Sequence, residues 1–245
     1  MKFIGHRKSL LKSVVAVIAT TVCGMTTALA CTSTIPDPDN KLGCGENSAY
    51  AYAYVANGTS GSSYVQSVSN SNLVWYGDSY GYGITSYSGD QHSIDNYYKT
   101  DMLALHFTGG PVTLDTITLG WSSGDADFSL LAWGGDSAPQ IAGQTVSQLN
   151  SAWQWVGNYN NAASSNDINV TVNAQSVASS WWIISAYNRG FANTNTLDST
   201  PDYFKVLAVA CREPDHGNDV PEPGSMMLLG AGLFGVMALR RRRSV

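Results

Sequence analysis

The chain has 245 residues, 44% hydrophobic and only 13% charged, which is too apolar and too aromatic for a disordered protein. Its basic residues crowd the ends, with Lys2, Arg7, Lys8 and Lys12 at the start and Arg240, Arg241, Arg242 and Arg243 at the finish. Between Asp37 and Asp219 five basic residues face seventeen acids, a balance of −12 that repels phosphate backbones and excludes nucleic acid as a partner.

The first segment, residues 1–30, reads as a secretory signal. A basic start precedes a short run rich in Val and Ala from Ser13 to Thr21, and Ala28-Leu29-Ala30 supplies the small-x-small pattern for signal peptidase. Cleavage is expected before Cys31. The apolar run is too short to span a bilayer, which needs about 20 residues. Cys31 at the junction raises a lipoprotein alternative, but Ala28 stands where a lipobox wants Leu.

Residues 31–47, rich in Pro, Asp and Gly, read as an irregular lead-in. Strand-like segments then follow at short spacing over residues 48–212. Ala49 to Val55 alternates Ala with Tyr50, Tyr52 and Tyr54. Leu73 to Tyr76 and Tyr80 to Tyr87 are aromatic and Gly-broken, and Met102 to Phe107 is a buried-looking run. Val112 to Trp121 alternates through Ile117, Leu119 and Trp121. Phe128 to Trp133, Trp153 to Val156, Ile168 to Val172, Trp181 to Tyr187 and Tyr203 to Ala210 complete the series. Thr145 to Asn150 is the one candidate helical turn. Alternation, aromatic enrichment and Gly/Asn/Asp/Ser turns between the segments predict an all-β fold. About ten strands would form a two-sheet antiparallel sandwich or jelly roll. Trp121, Phe128, Leu130, Trp182, Ile184 and Val206 are the predicted core. Residues 213–219 read as a linker.

Cys23 leaves with the signal, so three cysteines remain in an oxidising compartment. Cys44 precedes the first strand and Cys211 ends the last, so Cys44–Cys211 is the expected bridge. Cys31–Cys211 and Cys31–Cys44 compete with it.

Chemistry is sparse. Gly120-Trp121-Ser122-Ser123-Gly124 matches G-x-S-x-G, but that motif needs a strand-to-helix elbow, and a hairpin loop is expected here. His106 lies in an apolar run and His92 near Asp95-Asn96, and neither has a matched nucleophile. No catalytic residue is assigned and no cofactor is required. Oxygen ligands are the better candidates. Asp125 and Asp127 flank a tight turn, and Asp95, Asn96 and Asp101 cluster near another, as Ca²⁺ loops do, although solvated turn residues give the same pattern. The aromatic set Tyr50, Tyr52, Tyr54, Trp75, Tyr76, Tyr80, Tyr82, Trp153 and Trp155 would stack on sugar rings if exposed on one face.

The C-terminal segment, residues 220–245, carries Val220-Pro221-Glu222-Pro223, then sixteen uncharged residues from Gly224 to Leu239, then the cluster Arg240, Arg241, Arg242 and Arg243. A helix over 224–239 would reach ~24 Å, short of a hydrocarbon core of about 30 Å. The Arg cluster would hold the end in the cytoplasm. The two prolines, each without an N–H and with fixed φ, keep the membrane-proximal segment extended. This tripartite order resembles the PEP-CTERM sorting signal. The resemblance implies a Gram-negative bacterium that makes extracellular polysaccharide. It also implies exosortase as the processing partner, with cleavage near Pro221 to Pro223. The segments 120–131, 181–187 and 202–209 in turn resemble a family of exosortase-dependent surface proteins, which implies location and fold without an activity.

Two classes of function follow. The first is a structural or interaction protein of the cell surface or the exopolysaccharide or biofilm matrix, transiently anchored in the inner membrane and then released outside. The second is a carbohydrate-binding module for that polysaccharide. A secreted hydrolase is disfavoured by the missing acid–base pair.

Overall fold

The computed structural model describes residues 35–36, 42–45, 47–58, 66–86, 92–161, 165–191, 197–198 and 200–214. The signal residues Ala28, Ala30 and Cys31 lie outside these. So do the sorting residues Val220, Pro221, Glu222, Pro223, Arg240, Arg241, Arg242 and Arg243, and the apolar span 224–239 between them. Among the described residues no helix is long and apolar enough to cross a membrane. By contacts, the described residues all fall in one compact unit.

Thirteen strands are found among the described residues. They are β1 (Ile35–Pro36), β2 (Ala49–Asn57), β3 (Ser67–Asn70), β4 (Asn72–Trp75), β5 (Tyr82–Thr85), β6 (Ile94–Asp95) and β7 (Thr100–Phe107). After them come β8 (Thr113–Ser122), β9 (Phe128–Trp133), β10 (Trp153–Tyr159), β11 (Ile168–Thr171), β12 (Trp181–Ala186) and β13 (Tyr203–Arg212). A short helix, α1 (Val146–Ala152), precedes β10. One antiparallel sheet runs β1-β2-β7-β12-β9-β10, with β3 sharing an edge of β2. The other runs β11-β8-β13-β5-β4, with β6 also on β13.

The expected all-β, two-sheet architecture is present, and period-2 alternation explains how the sheets meet. In β2 the alanines Ala49, Ala51 and Ala53 face the shared core, while Tyr50 and Tyr52 face outward. Leu103, Leu105, Phe128, Leu130, Trp182 and Ile184 of the first sheet pack on Ile117, Leu119, Phe204, Val206, Tyr82 and Ile84 of the second. The runs 102–107 and 128–133 are apolar on both faces because the outer face of the first sheet is covered too. Met102, Ala104, Leu131 and Ile183 lie under Val146 and Leu149 of α1, with Phe191 and Trp153. That helix starts with a capping box. Thr145 Oγ1 accepts the Gln148 N–H at 3.2 Å, and Gln148 Oε1 accepts the Thr145 N–H at 2.8 Å.

Three expectations need correction. Residues 31–47 are not wholly irregular, since Ile35 and Pro36 pair with Ala51 and Tyr50. Two further short strands, β3 and β6, exceed the expected series. Trp121 is not core. The β8–β13 register pairs Lys205 with Trp121 but Val206 with Leu119, so Gly120 is the extra residue of a bulge. The bulge reverses the alternation, turning Trp121 out beneath the Lys205 ammonium, 4.0 Å from its ring. Only glycine fits at 120, where a Cβ would lie 2.6 Å from the Tyr80 carbonyl oxygen.

Candidate functional site

Loops from both sheets converge at one end of the sandwich, where β8, β10 and β12 finish and β9 and β13 begin. Asp125 joins them through its backbone. Its carbonyl accepts the Tyr203 N–H at 2.8 Å, and the adjacent Ser123 N–H donates to Tyr203 O at 3.0 Å. Asp125 also forms a parallel bridge with Asp202. Asn96, in the turn after β6, spans the same loops. Its Nδ2 donates to Tyr187 O at 3.0 Å and, very closely, to Asp202 Oδ2, while its Oδ1 accepts the Asp202 N–H at 2.9 Å. Asp202 Oδ1 accepts the Asp127 N–H at 2.9 Å.

The side chains of Asp125, Asp127 and Asp198 offer carboxylate oxygens that all lie within 4.8 Å of one another. Asp125 and Asp127 are buried and Asp198 is exposed. Burial first, and then the charge of Asp127, pushes Asp202 up to about 9. Burial, and further on the neighbouring Asp125, raises Asp127 to about 6. Burial also raises Asp125, whereas Asp198 is lowered by the Thr200 backbone N–H. None of the largest influences on Asp125, Asp127 and Asp202 comes from a Lys or Arg. The arrangement can therefore share protons or hold a cation, but it cannot stay fully ionised and empty at low cost.

Replacing Asn96 with Ala is expected to destabilise the body by about 3 kcal/mol. It removes Asn96's hydrogen bonds to the Tyr187 carbonyl, the Asp202 N–H and the Asp202 carboxyl in a buried site, a lost partner there costing about 1–3 kcal/mol before relaxation. Urea unfolding should show a lower midpoint with an unchanged slope.

The turn pair Asp125 and Asp127 is thus brought into one cluster, but the second expected group is not. Asp95 accepts from Ser93 Oγ at 3.1 Å and from the Tyr97 N–H at 3.2 Å, and the buried Asp101 accepts the Asp95 N–H at 3.4 Å. Neither belongs to the carboxylate group, and Asn96 serves Asp202 instead. Asp198 is invisible to a sequence reading, because it stands far along the chain from Asp125 and no spacing signals the contact.

The aromatic set does not share one face. Tyr54, Tyr82 and Trp153 are buried, while Tyr50, Tyr80 and Trp155 are exposed on different elements. A groove of about 400 Å³ opens between the edge strands β10 and β11, lined by Trp155, Asn158, Tyr159, Thr171 and Gln175 among others. Asn158 Oδ1 accepts the Trp155 Nε1–H at 3.1 Å and the Ser129 hydroxyl at 2.9 Å, and its buried Nδ2 has no acceptor. Tyr159, absent from the expected set, stacks on Phe128 at 5.0 Å.

Ser122 sits at the end of β8, its hydroxyl donating to Ser165 O at 3.1 Å, and the chain turns at 123–125 towards another strand rather than into a helix. His106 stacks on Trp181 at 4.1 Å, and burial lowers its pKa. His92 Nδ1 lies 3.0 Å from Thr85 Oγ1. Cys44 and Cys211 stand as a disulfide pair with Cα atoms 5.5 Å apart, 167 residues apart in sequence.

Residues 219–243 match the family model of the PEP-CTERM protein-sorting motif. The chain carries a PEP-CTERM protein-sorting motif at its C-terminal end. The match takes in the expected sorting residues Val220, Pro221, Glu222, Pro223, Arg240, Arg241, Arg242 and Arg243. The motif marks the chain as an exported target of exosortase, held transiently in the membrane through its C-terminus. It lies beyond the last strand of the described residues, so it bears on the chain's address and leaves the work of the body to be argued from the fold. No curated protein matches the chain.

Proposed function

We propose that the processed body is a non-catalytic structural or interaction protein of the cell surface or of the extracellular polysaccharide matrix. The observation that carries this reading is the sorting motif on an acidic, all-β body. A charge near −12 keeps such a body soluble and away from other polyanions. The resemblance of segments 120–131, 181–187 and 202–209 to exosortase-dependent surface proteins supports the same location.

A second reading, carbohydrate binding, is favoured by one feature, the β10–β11 groove. Trp155 is 40% exposed beside it, and its ring is a stacking surface for a sugar. Cell fractionation joined to affinity electrophoresis in the host's own polysaccharide tests both readings. The processed protein is expected in the surface and polysaccharide fractions, and recovery in the inner membrane alone overturns the proposal. Under the second reading the gel retards the protein, and Trp155→Ala weakens binding about tenfold, the loss of one ring contact of ~1.4 kcal/mol. An unretarded wild-type protein removes the carbohydrate reading and leaves protein–protein contact.

A further inference from the structure

Asp125, Asp127 and Asp198 have a property in common beyond their proximity. A backbone N–H fixes one oxygen of each carboxylate: Ala126 on Asp125 at 2.9 Å, Asn161 on Asp127 at 2.8 Å and Thr200 on Asp198 at 2.7 Å. The three groups are therefore oriented before any ligand arrives. The independent observation is at Asp127. This residue is 1% exposed, and its Oδ2 meets no donor from outside the cluster, the carboxyl's side-chain neighbour being Asp125. A buried carboxylate oxygen without a donor costs several kcal/mol unless something positive meets it. Asp127 is grouped with two further acidic side chains, and no Lys or Arg is among the largest influences on it.

We propose that this end of the sandwich holds one Ca²⁺, bound by Asp125, Asp127 and Asp198 and completed by water from the exposed Asp198 side. The donor set is all oxygen, which selects a hard cation over zinc or copper. Oxygens on one Ca²⁺ at about 2.4 Å lie up to roughly 4.8 Å apart, so carboxylates within 4.8 Å of each other can share the ion with little movement. Mg²⁺ demands distances near 2.1 Å and a closer octahedron. Asp202 and Asn96 act behind the ligands as positioning residues, since Asp202 holds the Asp127 backbone and Asn96 holds Asp202. The ion would tie the β8–β9 turn at 123–127, which already meets the loop at Asn161, to the segment before β13. The ion site does not depend on the surface role proposed for the body.

The test uses the processed protein stripped with EDTA. Isothermal titration with CaCl₂ is expected to give one ion per chain with Kd on the order of 0.1–1 mM, the range of extracellular modules. Thermal unfolding should rise with CaCl₂, and less with MgCl₂ or NaCl at matched ionic strength. Asp198→Asn, at an exposed position, is expected to weaken Ca²⁺ binding at least tenfold without lowering the melting temperature in EDTA, since it removes one of the repelling charges. Asp127→Asn should abolish the Ca²⁺ response, and Asp198→Asn keeps the test decisive if that variant does not fold. Absence of binding heat and of a thermal shift, an equal response to Mg²⁺, or wild-type affinity in Asp198→Asn overturns the assignment.

Discussion

Removing the Cys44–Cys211 bridge, by reduction or by replacing both cysteines with serine, is expected to lower the stability of the body by about 5 kcal/mol in the chain-entropy limit. The size of the effect comes from the length of the closed loop. The two cysteines are 167 residues apart, so the bridge restrains almost the whole body in the unfolded state. It also joins the two sheets. Cys44 lies just before β2 of the first sheet, and Cys211 lies near the end of β13 in the second, opposite Leu114 of β8. Native contacts at both ends survive reduction, because β13 stays in its ladder with β8 and β2 stays paired with β7. The reduced protein should therefore keep its strand content and unfold earlier, by roughly 10–20 °C for a body of this size. Replacing Cys31 should leave the midpoint unchanged. Equal midpoints for oxidised and reduced protein, or a peptide map pairing Cys31 with either partner, would refute the pairing.

That pairing was legible because it depends on chain order alone, one cysteine before the strand series and one at its end. The two-sheet class was legible for a related reason. Alternation of Ala with Tyr in β2, and of Ile117 with Leu119 in β8, is a local pattern set by the pleat. What escaped depends on partners distant in sequence. β3 is only Ser67–Asn70 and β6 only Ile94–Asp95, and their strand character comes from the edges of β2 and β13 that they extend. Trp121 continues the alternation on paper, yet one bulge at Gly120 turns it outward, and a glycine in a strand does not by itself declare a bulge. The carboxylate cluster was half visible. Asp125 and Asp127 share a turn, but Asp198 arrives through the long connection before β13, and Asp202 reaches Asp127 only because the 125 and 202 backbones pair. The groove was legible only as aromatic content. Tyr159 joins it because β10 continues beyond Val156, and a register shift between Trp155 and Gly157 interrupts the pattern there.

The surface form of the protein is expected to lack residues 224–245, and replacing Pro221 and Pro223 with Ala is expected to keep them. The matched motif covers 219–243, with Pro-Glu-Pro, an uncharged stretch and four arginines in that order. A sixteen-residue helix reaches ~24 Å, so the span is held at the limit of its length and its arginines must snorkel. A permanent anchor would be better served by a longer span. The short one suits a segment that is held only until it is cut. Proline at 221 and 223 stops a helix from growing out of the membrane, because each ring removes a donor and clashes with the preceding turn. Alanine at both positions removes that block, worth about 3 kcal/mol per residue in helix propensity. The helix then extends over the cleavage site, and uncleaved protein should accumulate in the inner membrane as the dominant species. Deleting Arg240, Arg241, Arg242 and Arg243 acts on the other end. Without the positive cluster the tail is no longer retained in the cytoplasm, and the protein should pass through uncut. Intact mass distinguishes the cases, since the wild type loses the tail, the Ala variant keeps it in the membrane, and the Arg deletion keeps the remaining tail outside. A wild-type surface form that still carries 224–245 would make the segment a permanent anchor and remove exosortase from its maturation.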